Sequence, residues 1–199
     1  MKIKKIILTN IRCFEKFKVD LTSKSDVKNW LVILGNNGVG KSTILKSIAL
    51  GLCEESGASG LLSELDDMIR YNRDKGVIRI ELIPNDGYDE IAYIETTLKR
   101  SEYNEIKLTQ EVFPKKSTQF DWENLFACGY GVGRGIFGTS DTYEYAVTDS
   151  VYSLFNYGSE LQNPELNLRR IYAEMGQKGT DKILNKIENV TFIAIFPFV

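Results

Sequence analysis

The sequence of 199 residues contains no histidine. A histidine general base, a catalytic triad that uses histidine and any metal site that depends on histidine are therefore excluded. The sequence also has no excess of positive charge, because its 25 lysines and arginines face 27 aspartates and glutamates. Its overall charge gives no support to sequence-independent nucleic-acid binding or to attraction by a membrane surface, although it does not exclude nucleic acid.

Cysteine and long apolar runs are also scarce. Cys13, Cys53 and Cys128 form no CxxC pair, and three cysteines cannot all be paired within one chain, so a reducing cytoplasm is the simplest compartment. The apolar run near the N-terminus covers only residues 6–8, which is too short for a signal peptide or a membrane span. We therefore expect a cytoplasmic domain without a membrane partner, and the 43% of hydrophobic residues are enough for its core.

The order of apolar patterns predicts a mixed α/β fold. Residues 3–14 have the composition of a strand, and residues 30–34 form a continuous apolar run that ends at a glycine. Such a run predicts a strand buried on both faces, as in a parallel sheet. Apolar residues from Ile44 to Leu52 then recur at helical spacing, which predicts a helix directly after a glycine-rich loop.

The second half of the chain predicts two further regions. From Gly76 the apolar residues alternate with polar ones, and strand patterns recur as far as Thr109, which predicts an antiparallel meander after the first helix. Residues 125–128 are a short apolar run that leads into the glycine-rich segment 129–135. Helical patterns follow from Asn163 and again from Ile183.

The glycine-rich loop at residues 35–43 matches GxxxxGK[ST] at every required position, with a strand before it and a helix after it. Main-chain N–H groups of such a loop surround phosphate oxygens at a helix N-terminus. Lys41 is expected to reach the β- and γ-phosphates, and Ser42 to offer its hydroxyl to Mg²⁺. The residues expected to contact the nucleotide are Asn36, Asn37, Gly38, Val39, Gly40, Lys41, Ser42 and Thr43.

A second feature is the segment Ile-Leu-Thr-Asn-Ile-Arg-Cys-Phe at residues 7–14. With the loop that follows, it resembles the opening strand of ABC ATPases of the SMC, RecF and double-strand-break-repair type. The resemblance implies ATP and Mg²⁺ as ligands, and it places Arg12 beside the nucleotide, where a guanidinium suits phosphate or stacking. The family also has an antiparallel sheet after the first helix and contacts the nucleotide just before it, which by position would involve Ile69 and Arg70.

The chain departs from this family at the strand after the meander. There the family has a glutamine that helps to hold Mg²⁺ and the attacking water, whereas residues 129–135 contain none. Arg134 in this segment is a candidate for stabilising γ-phosphate charge, as an arginine finger does; the alternative is a solvated arginine on a glycine loop. The Tyr-Gly-x-Gly-Arg pattern resembles small prokaryotic SMC-like ATPases, including those of defence systems and those beside retrons.

Three catalytic features of the resembled family are missing: an apolar strand that ends in Asp-Glu, a Leu-Ser-x-Gly-Gly segment and a late histidine. We therefore expect a single N-terminal lobe over residues 1–199, the first half of an ATPase head. Residues 1–53 would contain the first strands, the phosphate loop and the first helix. Residues 76–109 would form the meander, and residues 125–190 the glycine loop and a helical part.

The leading hypothesis is an ATP- and Mg²⁺-binding lobe that works as a homodimer or with a complementing second lobe. The resemblance implies that the complete protein acts on DNA or on a nuclease effector. One alternative is a complete small P-loop kinase, for which 199 residues is a natural length. Another is a nucleotide sensor that does not hydrolyse ATP and only docks partners.

Overall fold

The structure is a computed structural model that describes residues 2–23, 26–28, 30–83, 92–114, 147–156 and 192–197, together with residues 122, 127, 129 and 158. The elements in chain order are β1 (Lys2–Ile11), β2 (Phe14–Asp20), β3 (Thr22–Ser23), β4 (Asp26–Val27), β5 (Trp30–Gly35), α1 (Lys41–Leu52), α2 (Glu55–Ser63), β6 (Lys75–Ile83), β7 (Ala92–Arg100), β8 (Ile106–Phe113), α3 (Val147–Val151) and β9 (Phe192–Pro197). A single 3-10 turn, Tyr152–Leu154, follows α3.

The largest element is an antiparallel sheet of five strands in the order β2-β1-β6-β7-β8. Side chains alternate between its two faces because successive residues of a strand point in opposite directions. The inner face is apolar and buried, and its fully buried members include Ile6, Leu8, Ile78, Ile80 and Ile94. This alternation accounts for the apolar and polar residues that alternate along the sequence of these strands, because one face of the sheet packs against the core.

Helices α1 and α2 cover the inner face of this sheet, and α1 makes its closest approach at Gly51. A Cβ atom at Gly51 would lie 2.6 Å from Cδ1 of Ile80 and 3.3 Å from Cγ2 of Ile78. The absent side chain therefore lets the helix that follows the phosphate loop rest directly on β6. Burial of Ile48, Leu50 and Leu52 on α1 completes this layer.

Gln110 on β8 connects the sheet to the C-terminal end of α1. Its side-chain Nε2 donates to the carbonyl oxygen of Cys53 at 3.0 Å and to Oγ1 of Thr96 at 3.0 Å. The carbonyl oxygen of Leu50 lies 3.3 Å from the same nitrogen. Because the last carbonyl groups of a helix receive no N–H donor within it, these contacts satisfy carbonyl groups at the end of α1 and fix its position.

Strand β5, which precedes the phosphate loop, pairs in parallel with β9, and Trp30 is opposite Phe192 in this register. This pair is the only parallel pairing within the described residues, so the wider parallel core sheet stays a prediction. The prediction that β5 is buried on both faces is wrong. Trp30, Val32 and Leu34 are 62%, 52% and 56% exposed, because the described layers cover only the face that carries Leu31 and Ile33.

The remaining predictions for the elements are confirmed in part. The meander is confirmed, and it extends to Phe113 and joins the first two strands in one sheet. Residues 3–14 are not one strand, because the chain turns at Arg12 and Cys13 and returns antiparallel as β2. Most of the 125–135 segment and the helices predicted from Asn163 and Ile183 lie outside the described residues.

None of the helices in the described part of the chain is both long enough and apolar enough to cross a membrane.

The two described cysteines differ in environment, which gives a test of the core. Cys53 is completely buried after α1, and burial raises the pKa of its thiol to about 11, whereas Cys13 is exposed. We expect iodoacetamide at pH 8 to alkylate Cys13 and to leave Cys53 unmodified until the protein is unfolded, as read by peptide mass spectrometry. Equal alkylation of both in the native state would contradict the packing of α1 on the sheet.

The same pKa shift has a defined effect on stability. The folded-state pKa is raised above the ordinary value of 9.0, so the neutral thiol favours the folded protein. This contribution is complete below pH 9 and is lost as the pH rises through about 11. Cys53→Ala should remove this part of the alkaline destabilisation, measured by urea unfolding across that range.

Candidate functional site

The phosphate loop, residues 35–43, begins at the last residue of β5 and ends in the first turn of α1. Gly38 and Gly40 have φ angles of 83° and 99°, which side chains rarely tolerate. Gly38 and Gly40 thus provide the left-handed backbone conformation that the loop adopts at two positions. The side chains of Asn36, Asn37 and Val39 are exposed around it.

Lys41 is the buried charge of the loop, with 9% of its surface exposed. Its Nζ donates to the carbonyl oxygen of Gly35 at 2.6 Å and to that of Asn36 at 2.7 Å. An ammonium group has three donors, so two are used by the loop itself and one is left for an acceptor outside the chain. The lysine predicted to reach the phosphates is therefore held in place by the carbonyl groups at the start of the loop.

The N-terminus of α1 is suited to an anion. Gly40 occupies the cap position, no side chain caps the helix, and its first turn contains no acidic residue. The first N–H groups of a helix lack acceptors within it and carry partial positive charge, which favours phosphate. The helix has 12 residues, enough for this effect to be developed.

Ser42 and Thr43 differ in accessibility at this helix end. Ser42 is exposed, and Thr43 is 7% exposed. A hydroxyl beside bound phosphates is a usual protein ligand for Mg²⁺, whose other ligands are phosphate oxygens and waters. The described residues contain no group of three or more acidic or thiol ligands that could hold a metal by itself. Ser42 therefore fits Mg²⁺ that arrives with a nucleotide.

The turn between β1 and β2 packs against the loop at Gly40. A Cβ atom at Gly40 would lie 2.5 Å from Sγ of Cys13 and 2.7 Å from Cζ of Phe14. Sγ of Cys13 is also 3.7 Å from the carbonyl oxygen of Val39. This contact brings the segment that carries Arg12 next to the phosphate loop.

Arg12 lies in this turn with a strained main chain. Its φ angle is 42°, and that of Asn10 is 53°; such values are uncommon for residues other than glycine and occur often at functional sites. The guanidinium donates through Nε to the carbonyl oxygen of Asp67 at 3.1 Å and through Nη2 to that of Asp66 at 3.4 Å. These bonds fix the guanidinium of Arg12 against the segment 66–67.

Arg70 makes the reciprocal contacts. Its Nη1 donates to the carbonyl oxygen of Cys13 at 2.7 Å and to that of Arg12 at 3.3 Å, and its main-chain N–H donates to Asn10 at 2.9 Å. Ile69 forms a bridge with Ile11 and is 3% exposed, so its side chain belongs to the core. The structure thus brings Arg12, Ile69 and Arg70 together around the turn whose Cys13 and Phe14 contact the phosphate loop.

One residue predicted for the site, Arg134, is not placed by the structure. Arg134 lies outside the described residues, as does most of the segment in which the family has its glutamine. Reasoning from sequence also missed the contact of Cys13 and Phe14 with Gly40. The only available signal was the small residue after the arginine in the pattern at residues 7–14.

The chain is similar to one protein family and to individual known proteins. A family model described as "AAA domain" matches residues 5–190, which is most of the chain. The chain is 43% identical over 68 residues to structural maintenance of chromosomes protein 6 of Saccharomyces cerevisiae. It is 38% identical over 82 residues to Septu protein PtuA of Bacillus mycoides.

These alignments cover only parts of the proteins. They span 34% of this chain and 6% of the chromosome maintenance protein, and 40% of this chain and 12% of PtuA. A solved structure of the recombination mediator protein RecF with ATP aligns with 55% of this chain and 26% of its own, at 20% identity and a TM-score of 0.39. With the family model spanning residues 5–190, the chain belongs to the AAA-domain family, and its interpretation as an SMC/RecF-like ATPase lobe is confirmed.

Proposed function

We propose that the chain is the ATP- and Mg²⁺-binding N-terminal lobe of an SMC/RecF-like ABC ATPase. The observation that carries this proposal is the buried ammonium of Lys41, tethered by Gly35 and Asn36 at the start of an uncapped helix. A fixed positive charge and free helix N–H groups at one point form a site for the phosphates of a nucleotide. Lys41 would stabilise the charge on the β- and γ-phosphates, and Ser42 would complete the coordination of Mg²⁺.

Arg12 and Arg70 are proposed to form the second side of the nucleotide site. Arg12 uses two of its donors on carbonyl oxygens, and its planar guanidinium keeps further donors for a phosphate. Arg70 holds the main chain of Arg12 and Cys13, so we assign to it the positioning of the turn as well as a place beside the nucleotide. Arg134 remains a proposed contact to the γ-phosphate from outside the described residues.

The action of the complete protein is also a proposal. The chain spans a small part of the relatives that it matches, and we propose that it associates as a homodimer or with a complementing second lobe around bound ATP. Action on DNA or on a nuclease effector, and a role in repair or defence, rest on likeness to proteins with such names. A cytoplasmic location is supported by the two free thiols of Cys13 and Cys53.

The family membership supports this lobe over a complete small kinase. The match over residues 5–190 includes the antiparallel sheet, which is an unusual insertion after the first helix for a small kinase. We infer that hydrolysis by this chain alone is negligible, since the sequence has no acidic strand end of the kind that the family uses. ATP binding without turnover is the activity proposed for the isolated chain.

Lys41→Met tests the phosphate loop directly. The substitution retains the length and burial of the side chain and removes the charge and its donors, so Mg-ATP binding should be lost in an isothermal calorimetric titration. Lys28→Met, at an exposed lysine between β4 and β5, is the matched control and should bind as the unchanged protein does. Unchanged affinity of the Lys41 variant, with a native circular dichroism spectrum, would exclude the proposed site.

Arg12→Ala tests the second side of the site. Loss of a charge-assisted contact should weaken Mg-ATP binding by about 1–3 kcal/mol. Arg73→Ala, at an exposed arginine one turn beyond Arg70, serves as the control and should leave nucleotide affinity unchanged. Equal affinities of the two variants would show that Arg12 only braces the main chain at Asp66 and Asp67.

A further inference from the structure

The side chain of Arg12 is held by a segment that lies 54 and 55 residues further along the chain. Its guanidinium donates to the carbonyl oxygens of Asp66 and Asp67, so two of its N–H donors are used and the others remain for an acceptor outside the chain. The left-handed main chain of Arg12 persists only where surrounding contacts hold it. The direction of this guanidinium therefore depends on what fixes the two carbonyl groups.

The part of the segment that follows these carbonyl groups is anchored to the end of β1. The main-chain N–H of Arg12 donates to the carbonyl oxygen of Met68 at 3.1 Å. The N–H of Arg70 donates to the carbonyl oxygen of Asn10 at 2.9 Å. Met68 and Ile69 are both buried in the core. Main-chain bonds and burial thus fix the segment on one side of the carbonyl groups that contact the guanidinium.

The side chain of Asp67 fixes the carbonyl groups themselves through two contacts of different kinds. Its Oδ1 accepts from the main-chain N–H of Ile69 at 2.8 Å, which closes the local turn that aspartate and asparagine form with the residue two positions ahead. Its Oδ2 pairs with Nη2 of Arg100 at the end of β7. The main chain that contacts Arg12 is therefore tied both to a local turn and to a charge on a distant strand.

Arg100 is a fixed partner for this carboxylate. Its main-chain N–H donates to the carbonyl oxygen of Asp74 at 2.8 Å, and its Nη1 donates to Oδ1 of Asn104 at 2.9 Å. Asn104 lies in the turn between β7 and β8, where its own N–H donates to the carbonyl oxygen of Ser101 at 3.0 Å. Because a guanidinium is planar, its two Nη groups can hold Asn104 and Asp67 at the same time.

We propose that the ion pair of Asp67 and Arg100 positions Arg12 for the nucleotide. Both are positioning residues, and Arg100 acts on the phosphate site from the distant end of β7. The inference rests on the proposed nucleotide site and adds to it two residues outside the phosphate loop and its neighbouring turn. The pair keeps the guanidinium of Arg12 ordered before ATP arrives, and ordering a long side chain in advance lowers the entropy cost of binding.

Two other roles of the pair predict different results. If the pair contributed only to stability, its loss would leave the affinity for ATP unchanged. If it acted only through its charges, its two partners would have opposite effects, because loss of the Asp67 carboxylate favours an anionic ligand and loss of the Arg100 guanidinium opposes one. Positioning of Arg12 predicts weaker binding when either partner is removed.

The decisive variant is Asp67→Asn, measured on the full chain by calorimetric titration with Mg-ATP. Asparagine can still close the turn with Ile69, but it loses the charge that pairs with Arg100. The affinity should fall about two- to tenfold, the range for ordering one long side chain. Arg100→Ala should lower the affinity by a similar factor, and Arg100→Lys, which retains a charge for Asp67, should recover part of the loss.

Glu95→Gln is the matched control. It converts a carboxylate to an amide on the same strand as Arg100 and removes the ion pair with Arg79. The side chains of Asp67 and Glu95 are 45% and 35% exposed, so the two substitutions remove similarly accessible charges. Because Glu95 has no contact with the segment that holds Arg12, this variant should bind Mg-ATP as the unchanged protein does.

A double-mutant cycle shows whether the pair acts through Arg12. In the Arg12→Ala background, Asp67→Asn should change the affinity by less than about 1.5-fold, because no guanidinium is left to be positioned. The same loss in both backgrounds would show that the pair acts on the nucleotide by another route, and it would overturn the proposal.

A second measurement follows the guanidinium of Arg12 without any nucleotide. Phenylglyoxal modifies arginine side chains, and cleavage after Glu15 releases a peptide of residues 1–15 in which Arg12 is the one arginine. Mass spectrometry of this peptide should show several-fold faster modification of Arg12 in Asp67→Asn than in the unchanged chain or in Glu95→Gln, because its guanidinium is released more often. Circular dichroism confirms that each variant is folded.

Failure of this inference differs from failure of the nucleotide site. Unchanged or tighter ATP binding by Asp67→Asn, while Lys41→Met loses binding, would overturn the positioning role and leave the phosphate site in place. Full binding by Lys41→Met would overturn the phosphate site instead. An unchanged rate of Arg12 modification in Asp67→Asn would contradict the positioning role whatever the result of the titrations.

Discussion

The ammonium group of Lys41 is a buried positive charge whose solvation has been replaced by the carbonyl oxygens of Gly35 and Asn36. A buried charge without acceptors is costly, so the loop must return close to its own start after β5. That return requires left-handed backbone at Gly38 and Gly40, and it places the uncapped start of α1 beside the ammonium. The features of the site thus follow from accommodating this one charge.

The same constraint extends to the first hairpin. Gly40 has room for no side chain because Cys13 and Phe14 occupy the space beside it. The turn that carries them is held by the guanidinium of Arg70, while Arg12 holds the segment 66–67 in return. A segment far away in sequence therefore supports the loop.

Local patterns predicted the phosphate loop, α1 and the meander, because each has a periodicity or a motif of its own. The break at Arg12 and Cys13 was not predictable, since left-handed Arg12 carries no glycine or proline as a signal. The exposed face of β5 was missed because an unbroken apolar run does not show what covers it. The alignment of Lys75, Lys99 and Lys107 across β6, β7 and β8 was invisible in sequence, because it depends on the register of three strands.

We propose that the conformation of the phosphate loop creates the nucleotide site, and the substitution Gly40→Ala is the sharpest test of this relation. A methyl group there meets both a φ angle of 99° and the side chains of Cys13 and Phe14, whereas Gly60→Ala, on α2, meets no atom within 4 Å. In calorimetric titrations with Mg-ATP, we expect that Gly40→Ala folds but loses measurable binding, and that Gly60→Ala binds normally. Equal binding of ATP by the two variants would contradict it.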